Sequence, residues 1–188
     1  MSIFPRSLLF IASLVTVFCP AQSQTSLSPA RQLENLIRQE GEVYLAIDRY
    51  EPSRGQHCRL EDVFTNSLLV SSDSLTVPYT NHTEFFCEAY VLHSQFVYQI
   101  GLHDIDLAKL TLVQRNYNYG AAKFLEGQVS WFEVLIPARQ GQSLVRRRNI
   151  TDRESDTIAS IRLICKTKEG ATKALVLLRQ LAPEALPK

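Results

Sequence analysis

The chain has 188 residues, with 20 Lys and Arg against 19 Asp and Glu, 45% apolar residues and 21% charged ones. Those are ordinary globular proportions and exclude wholesale disorder. The near-neutral balance leaves no electrostatic footprint for nucleic acid or an acidic membrane, and the length suits one domain around one core.

The N-terminal stretch "MSIFPRSLLFIASLVTVFCPAQSQ" carries one basic residue, Arg6, and then an apolar run from Ser7 to Cys19. That run is shorter than the roughly 20 residues needed to span a bilayer. It reads as a signal peptide over 1–23, with small residues placed for cleavage after Ala21 or Ser23 and a mature N-terminus at Gln22 or Gln24. Phe18 stands where a lipoprotein signal has a small residue, against lipid attachment at Cys19. Removing Arg6 leaves 19 basic against 19 acidic residues. The expected location is secreted or periplasmic, at the cell envelope, with no transmembrane span in the mature chain.

Ser28 and Pro29 open the first periodic segment. Ser28 suits an N-cap and Pro29 the first helical position, and Leu33, Leu36 and Ile37 share one helical face. A helix over 28–40 ends near Gly41, with "EVYLAID" a further helical turn or a short strand. Residues 51–66, "EPSRGQHCRLEDVFTN", are dense in turn formers and charge and read as a loop with room for one helical turn. The segment 24–66 is therefore expected to be a helix and loop, joined in one compact domain to an antiparallel sheet with a C-terminal helix over 67–188.

From residue 74 the pattern turns to strands. "SLTVPY" alternates, "TNHT" looks like a turn, and "EFFCEAYVLHSQFVYQIGL" is dense in aromatic and β-branched residues. "LAKLTLVQ", "GQVSWFEVLIPA" and "SLVRRR" follow as further strands. In "TIASIRLICK" the residues Ala159, Ile161, Leu163 and Cys165 fall on one face of a single strand. In "KEGATKALVLLRQLAPEAL" apolar residues recur at three and four, Ala171, Ala174 or Leu175, Leu178, and Leu181 or Ala182, the spacing of a helix over 169–182 that covers a sheet. The fold class is α+β, with five to seven mostly antiparallel strands between two helices.

The succession "YQIGLHDIDLAKLTLVQ", "VSWFEVLIPA" and "IASIRLICK" leading into "EGATKALVLLRQLAP" resembles the small PH-like domains of uncharacterised exported bacterial proteins. The resemblance covers roughly residues 68–183. It implies a bent sheet plugged at one end by the terminal helix, and binding of lipids, peptides or proteins. It transfers no binding residue, since the basic loop of phosphoinositide binders has no counterpart here.

Cys58 and Cys87 are the disulfide candidates, in a compartment that permits one. Cys165 is expected to be buried as a small hydrophobe. His57 and Cys58 are adjacent, so their side chains point apart in an extended chain and make a poor nucleophile and base pair. His57, His82, His93 and His103, with Asp104 and Asp106, match no metal-ligand spacing. Arg146, Arg147 and Arg148 form the one basic run, compensated by Asp152, Glu154 and Asp156. Asn81 and Asn149 head glycosylation sequons. No phosphate loop, nucleophile elbow or zinc-protease motif occurs. The sequence thus points to an exported non-catalytic binding or protein-interaction domain, with no cofactor and with a protein the expected partner. The alternatives are a structural component of an envelope assembly and an enzyme whose site is assembled from scattered polar residues.

Overall fold

The computed structural model describes residues 27–87 and 90–181, so the expected signal peptide and Ala182 lie outside the described residues. Helix α1 (Pro29–Glu40) starts as its sequence requires, with Ser28 accepting from the Arg31 amide at 3.4 Å and Pro29 at the first helical position. Leu33 and Ile37 are fully buried on its apolar face. Helix α2 (Lys168–Leu181) buries Ala171, Ala174, Leu177 and Leu178, so its stripe includes Leu177 as well as the positions expected.

Among the described residues, eleven strands lie between the helices: β1 (Glu42–Glu51), β2 (Gln56–Asn66), β3 (Leu69–Val70), β4 (Ser74–Phe85), β5 (Tyr90–Gly101), β6 (Thr111–Asn116), β7 (Lys123–Gly127), β8 (Ser130–Pro137), β9 (Val145–Asn149), β10 (Ser155–Ile158) and β11 (Ser160–Cys165). They form an eight-stranded sheet in the order β10-β9-β5-β4-β2-β1-β7, with β3 beside β4, and a three-stranded sheet in the order β11-β8-β6. All pairings among the described residues are antiparallel. The architecture is the expected α+β one, with more strands than the five to seven anticipated.

Three local expectations are corrected. Residues 56–66 are a central strand instead of a loop, paired with β1 on one side and β4 on the other. The segment "TNHT" is the middle of β4 instead of a turn, and the chain reverses after Phe85. The stretch 157–165 is two strands. Thr157 and Ile158 pair with β9 in the large sheet, Ser160–Cys165 pair with β8 in the small one, and Ala159 between them is exposed. A single strand cannot hold both registers, so the break at Ala159 carries the chain from one sheet to the other.

The main core joins both helices to one face of the small sheet and to the upper part of the large one. It contains Leu33, Ile37, Leu75, Val77, Ile100, Val134, Ile136, Ile161, Leu163, Cys165 and Leu178. Two polar side chains lock this end. Glu40 Oε2 accepts from the Thr167 amide at 3.0 Å and from its hydroxyl at 2.8 Å, while Thr167 Oγ1 accepts from the Gly170 amide at 2.9 Å, capping α2. A Cβ on Gly170 would lie 2.6 Å from Glu40, so glycine permits this close approach. Buried Asn66 donates to the carbonyls of Gly41 at 3.0 Å and Ile164 at 3.1 Å and accepts from the Ile164 amide at 2.6 Å. One side-chain amide thereby joins β2 of the large sheet to β11 of the small one.

A smaller cluster, Leu45, Ile47 and Leu60, is covered by Tyr117 and Tyr119 from the connection between β6 and β7 and by Phe124 of β7. Gly127 closes β7 onto β1 with φ +94, where a Cβ would meet the Tyr44 carbonyl at 2.3 Å.

Candidate functional site

Two surfaces stand out, one at the far tip of the large sheet and one between the sheets. The tip is made by the β1–β2 and β4–β5 hairpins. Cys58 on β2 and Cys87 after β4 meet there with 2.05 Å between sulfurs and 5.5 Å between α-carbons, a disulfide joining the two hairpins. Around it Tyr50, Phe86, Tyr90, Val91 and Leu92 are each between 43% and 52% exposed. Among the described residues, no helix or second sheet lies over these side chains.

The backbone beside them is also open on one side. β9 covers β5 over Phe96–Gln99. Just beyond, the Gln95 carbonyl accepts from the Ile150 amide at 2.8 Å and the Gln95 amide donates to Thr151 Oγ1 at 3.2 Å. Successive residues of an antiparallel strand address opposite neighbours, so His93 and Val91 turn their amides and carbonyls the same way as Gln95. No described strand lies opposite them. The stretch "YVLHS" contains no Lys, Arg, Asp, Glu or Pro, the residues with which natural sheets blunt an edge.

The second surface is a cleft of about 380 Å³ between the large sheet and the outer face of the small one. Tyr79 of β4, Tyr98 of β5 and Arg147 of β9 form one wall, and Glu133 of β8 with Ser160 and Arg162 of β11 the other. These residues share the cleft because of register. Tyr98 stands opposite Val77 and Arg147, Tyr79 opposite Phe96, and Ile164 opposite Glu133. Stacking between Phe64 and Trp131, with centroids 5.5 Å apart, joins the sheets alongside.

Burial pushes the Tyr79 hydroxyl up to about 12, and burial likewise raises Tyr98. Both phenols therefore remain protonated near neutral pH and offer O–H donors, which disqualifies them as general bases there. Glu133, 6% exposed, accepts from Arg115 Nε at 3.0 Å and from Trp131 Nε1 at 3.3 Å. Arg147 donates through Nε to Asp156 Oδ1 at 2.8 Å and through Nη2 to Oδ2, and lies 5.8 Å over the Phe96 ring. Its hydrogen bond holds the Asp156 carboxyl below its ordinary range. Arg162, by contrast, makes no hydrogen bond or ion pair with a described residue. On the same face of β4, the Asn81 side-chain oxygen is buried without a described partner.

The remaining sequence candidates are dispersed. His57 Nδ1 is 3.0 Å from Asp48 at the tip, the His82 and His93 rings lie 5.8 Å apart across β4 and β5, and His103 neighbours Asp104 at 3.2 Å. Asp106 holds Lys109 at 3.3 Å. Among the described residues, no three His, Cys, Asp or Glu side chains converge as metal ligands would. Asn81 sits mid-strand between β2 and β5. The Asn149 oxygen is occupied by the Thr151 and Asp152 amides at 3.0 and 3.3 Å. Arg147 is compensated by Asp156, as the charge order implied, whereas Asp152 holds Asn149 instead.

Sequence reasoning missed the cleft. Its lining comes from six strands, and no local spacing announces it. Comparison with known proteins finds no matching family model, curated protein or solved structure.

Proposed function

We propose that the protein is an exported, non-catalytic interaction domain that adds an extended strand of a partner protein to the open edge of β5. The observation that carries this reading is the coincidence at Tyr90–His93 of unpaired backbone groups and exposed apolar side chains. Strand addition uses these two components together, main-chain hydrogen bonds for affinity and alternate side chains for specificity. Ile150 is 39% exposed where β9 begins to cover the edge and extends the apolar surface.

Export is supported by the N-terminal pattern of one basic residue, a short apolar run and small residues, and by the disulfide at the tip. The PH-like resemblance is supported by a C-terminal helix packed on antiparallel strands. Under that reading the terminal strand and helix serve architecture, and recognition is left to the opposite end of the sheet.

The test is a photo-crosslinking residue at Leu92, with capture from envelope extract of the native host by wild type and by a Val91→Lys/His93→Pro variant. The lysine places a charge on the edge and the proline removes an outward amide. The expected result is a discrete crosslinked protein whose capture the variant loses. Equal capture by the variant overturns the reading.

A further inference from the structure

The cleft between the sheets is distinct from the β5 edge, and its charges can be counted. Arg147 is neutralised by Asp156 and Glu133 by Arg115. Arg162 remains, a guanidinium in no ion pair with a described residue, lining a cavity of about 380 Å³. The wall facing it carries Tyr79 and Tyr98, whose ring centroids lie 6.4 Å apart in edge geometry. Ile158 and Ile164 supply apolar lining.

We infer that this cleft is a binding site for a small monocarboxylate with an aromatic or apolar body. One uncompensated positive charge calls for one negative charge. The planar fork of a guanidinium matches a carboxylate with two parallel hydrogen bonds. The tyrosine hydroxyls and Ser160 add neutral donors, and the rings and isoleucines receive the body of the ligand. A cavity of this size is at the lower end of small-molecule sites, which fits a ligand of one ring or a short chain. A phosphate dianion fits less well, because its second charge would meet Glu133 and Asp156 with no further free cation in the cleft. Catalysis is not required of the site. The phenols stay protonated at neutral pH, and the two carboxylates are tied to arginines.

The test uses benzoate as probe, with benzyl alcohol and inorganic phosphate as controls, followed by amide NMR and calorimetry. Benzoate at millimolar concentration is expected to shift the amides of Tyr98, Ser160 and Arg162, and benzyl alcohol and phosphate to bind at least about tenfold more weakly, as loss of a charge-assisted hydrogen bond implies. Arg162→Gln should reduce benzoate affinity by about tenfold or more while leaving the thermal transition unchanged, because its side chain is exposed and unpaired. Tyr98→Phe should weaken binding about threefold to tenfold. The Val91→Lys/His93→Pro variant should bind benzoate like wild type, so that failure of the edge reading and failure of this one are separately visible. Absence of amide shifts with benzoate, equal binding of benzyl alcohol or phosphate, or undiminished affinity in Arg162→Gln each overturns the inference.

Discussion

The two ends of the large sheet are built by opposite means. At the helix-capped end, Leu33, Ile37, Leu75, Ile161 and Leu163 are 0% exposed. At the tip, Tyr90 and Val91 are each 49% exposed, and a disulfide holds the hairpins together. Burial holds structure by removing apolar surface from water, so it cannot also present that surface to a partner. A covalent link can hold two hairpins while leaving their side chains outside. The contrast places stability at one end and, on the strand-addition reading proposed above, recognition at the other.

The hardest blow to that contrast is a charge at each end. Leu178→Asp places an unpaired carboxylate beneath α2 and should cost about 4 kcal/mol or more. Leu92→Asp, on the exposed edge, should stay within about 0.5 kcal/mol. Equal effects in chemical denaturation would show that the ends are not different in kind. The next effect belongs to the covalent link. The Cys58→Ser/Cys87→Ser variant should lose up to about 4 kcal/mol on the chain-entropy model for a separation of 29 residues. Its hydrogen exchange should rise in both hairpins while α1 and α2 keep their protection. Uniform loss of protection would contradict a locally acting clamp.

The smallest effect distinguishes the thiol from the bridge. Cys165 is fully buried on β11, and burial raises its thiol to about 12 from an ordinary 9.0. The folded state thus favours the neutral thiol. That contribution is complete below pH 9 and is lost as pH rises toward 12, so Cys165→Ala should flatten the alkaline decline in stability. At pH 8, iodoacetamide should leave Cys165 unmodified until the protein unfolds, and should label Cys58 and Cys87 after mild reduction. Rapid native labelling of Cys165 would move β11 out of the core.

The capped end was also the more legible one. Ser28 and Pro29 mark the start of α1 by local chemistry alone, and the spacing of Ala171, Ala174 and Leu178 reports a helix because a single face of it is apolar. β2 was hidden for the converse reason. Its inner face runs Cys58, Leu60, Asp62, Phe64, Asn66, a true period of two in which Asp62 and Asn66 interrupt the apolar series. They do so because that face borders polar ground, with Asn66 bonded across to β11. Asn81 and Thr83 disguised the middle of β4 as a turn in the same way. The break at Ala159 has no turn former to announce it. The cleft residues span positions 79 to 164 and meet only through sheet register, so no short window of sequence contains them.

Asn66 also bears on the width of the cleft. It is the register partner of Tyr79 on one sheet and is bonded to Ile164, two residues from Arg162, on the other. The cleft is therefore tied at two places, by the Asn66 amide along this seam and by the backbone through Ala159, which carries β10 of the large sheet into β11 of the small one beside Ser160. Arg162 lies on β11 between these two ties, so the span from its guanidinium to the phenols opposite is set by the fold at both ends of the strand.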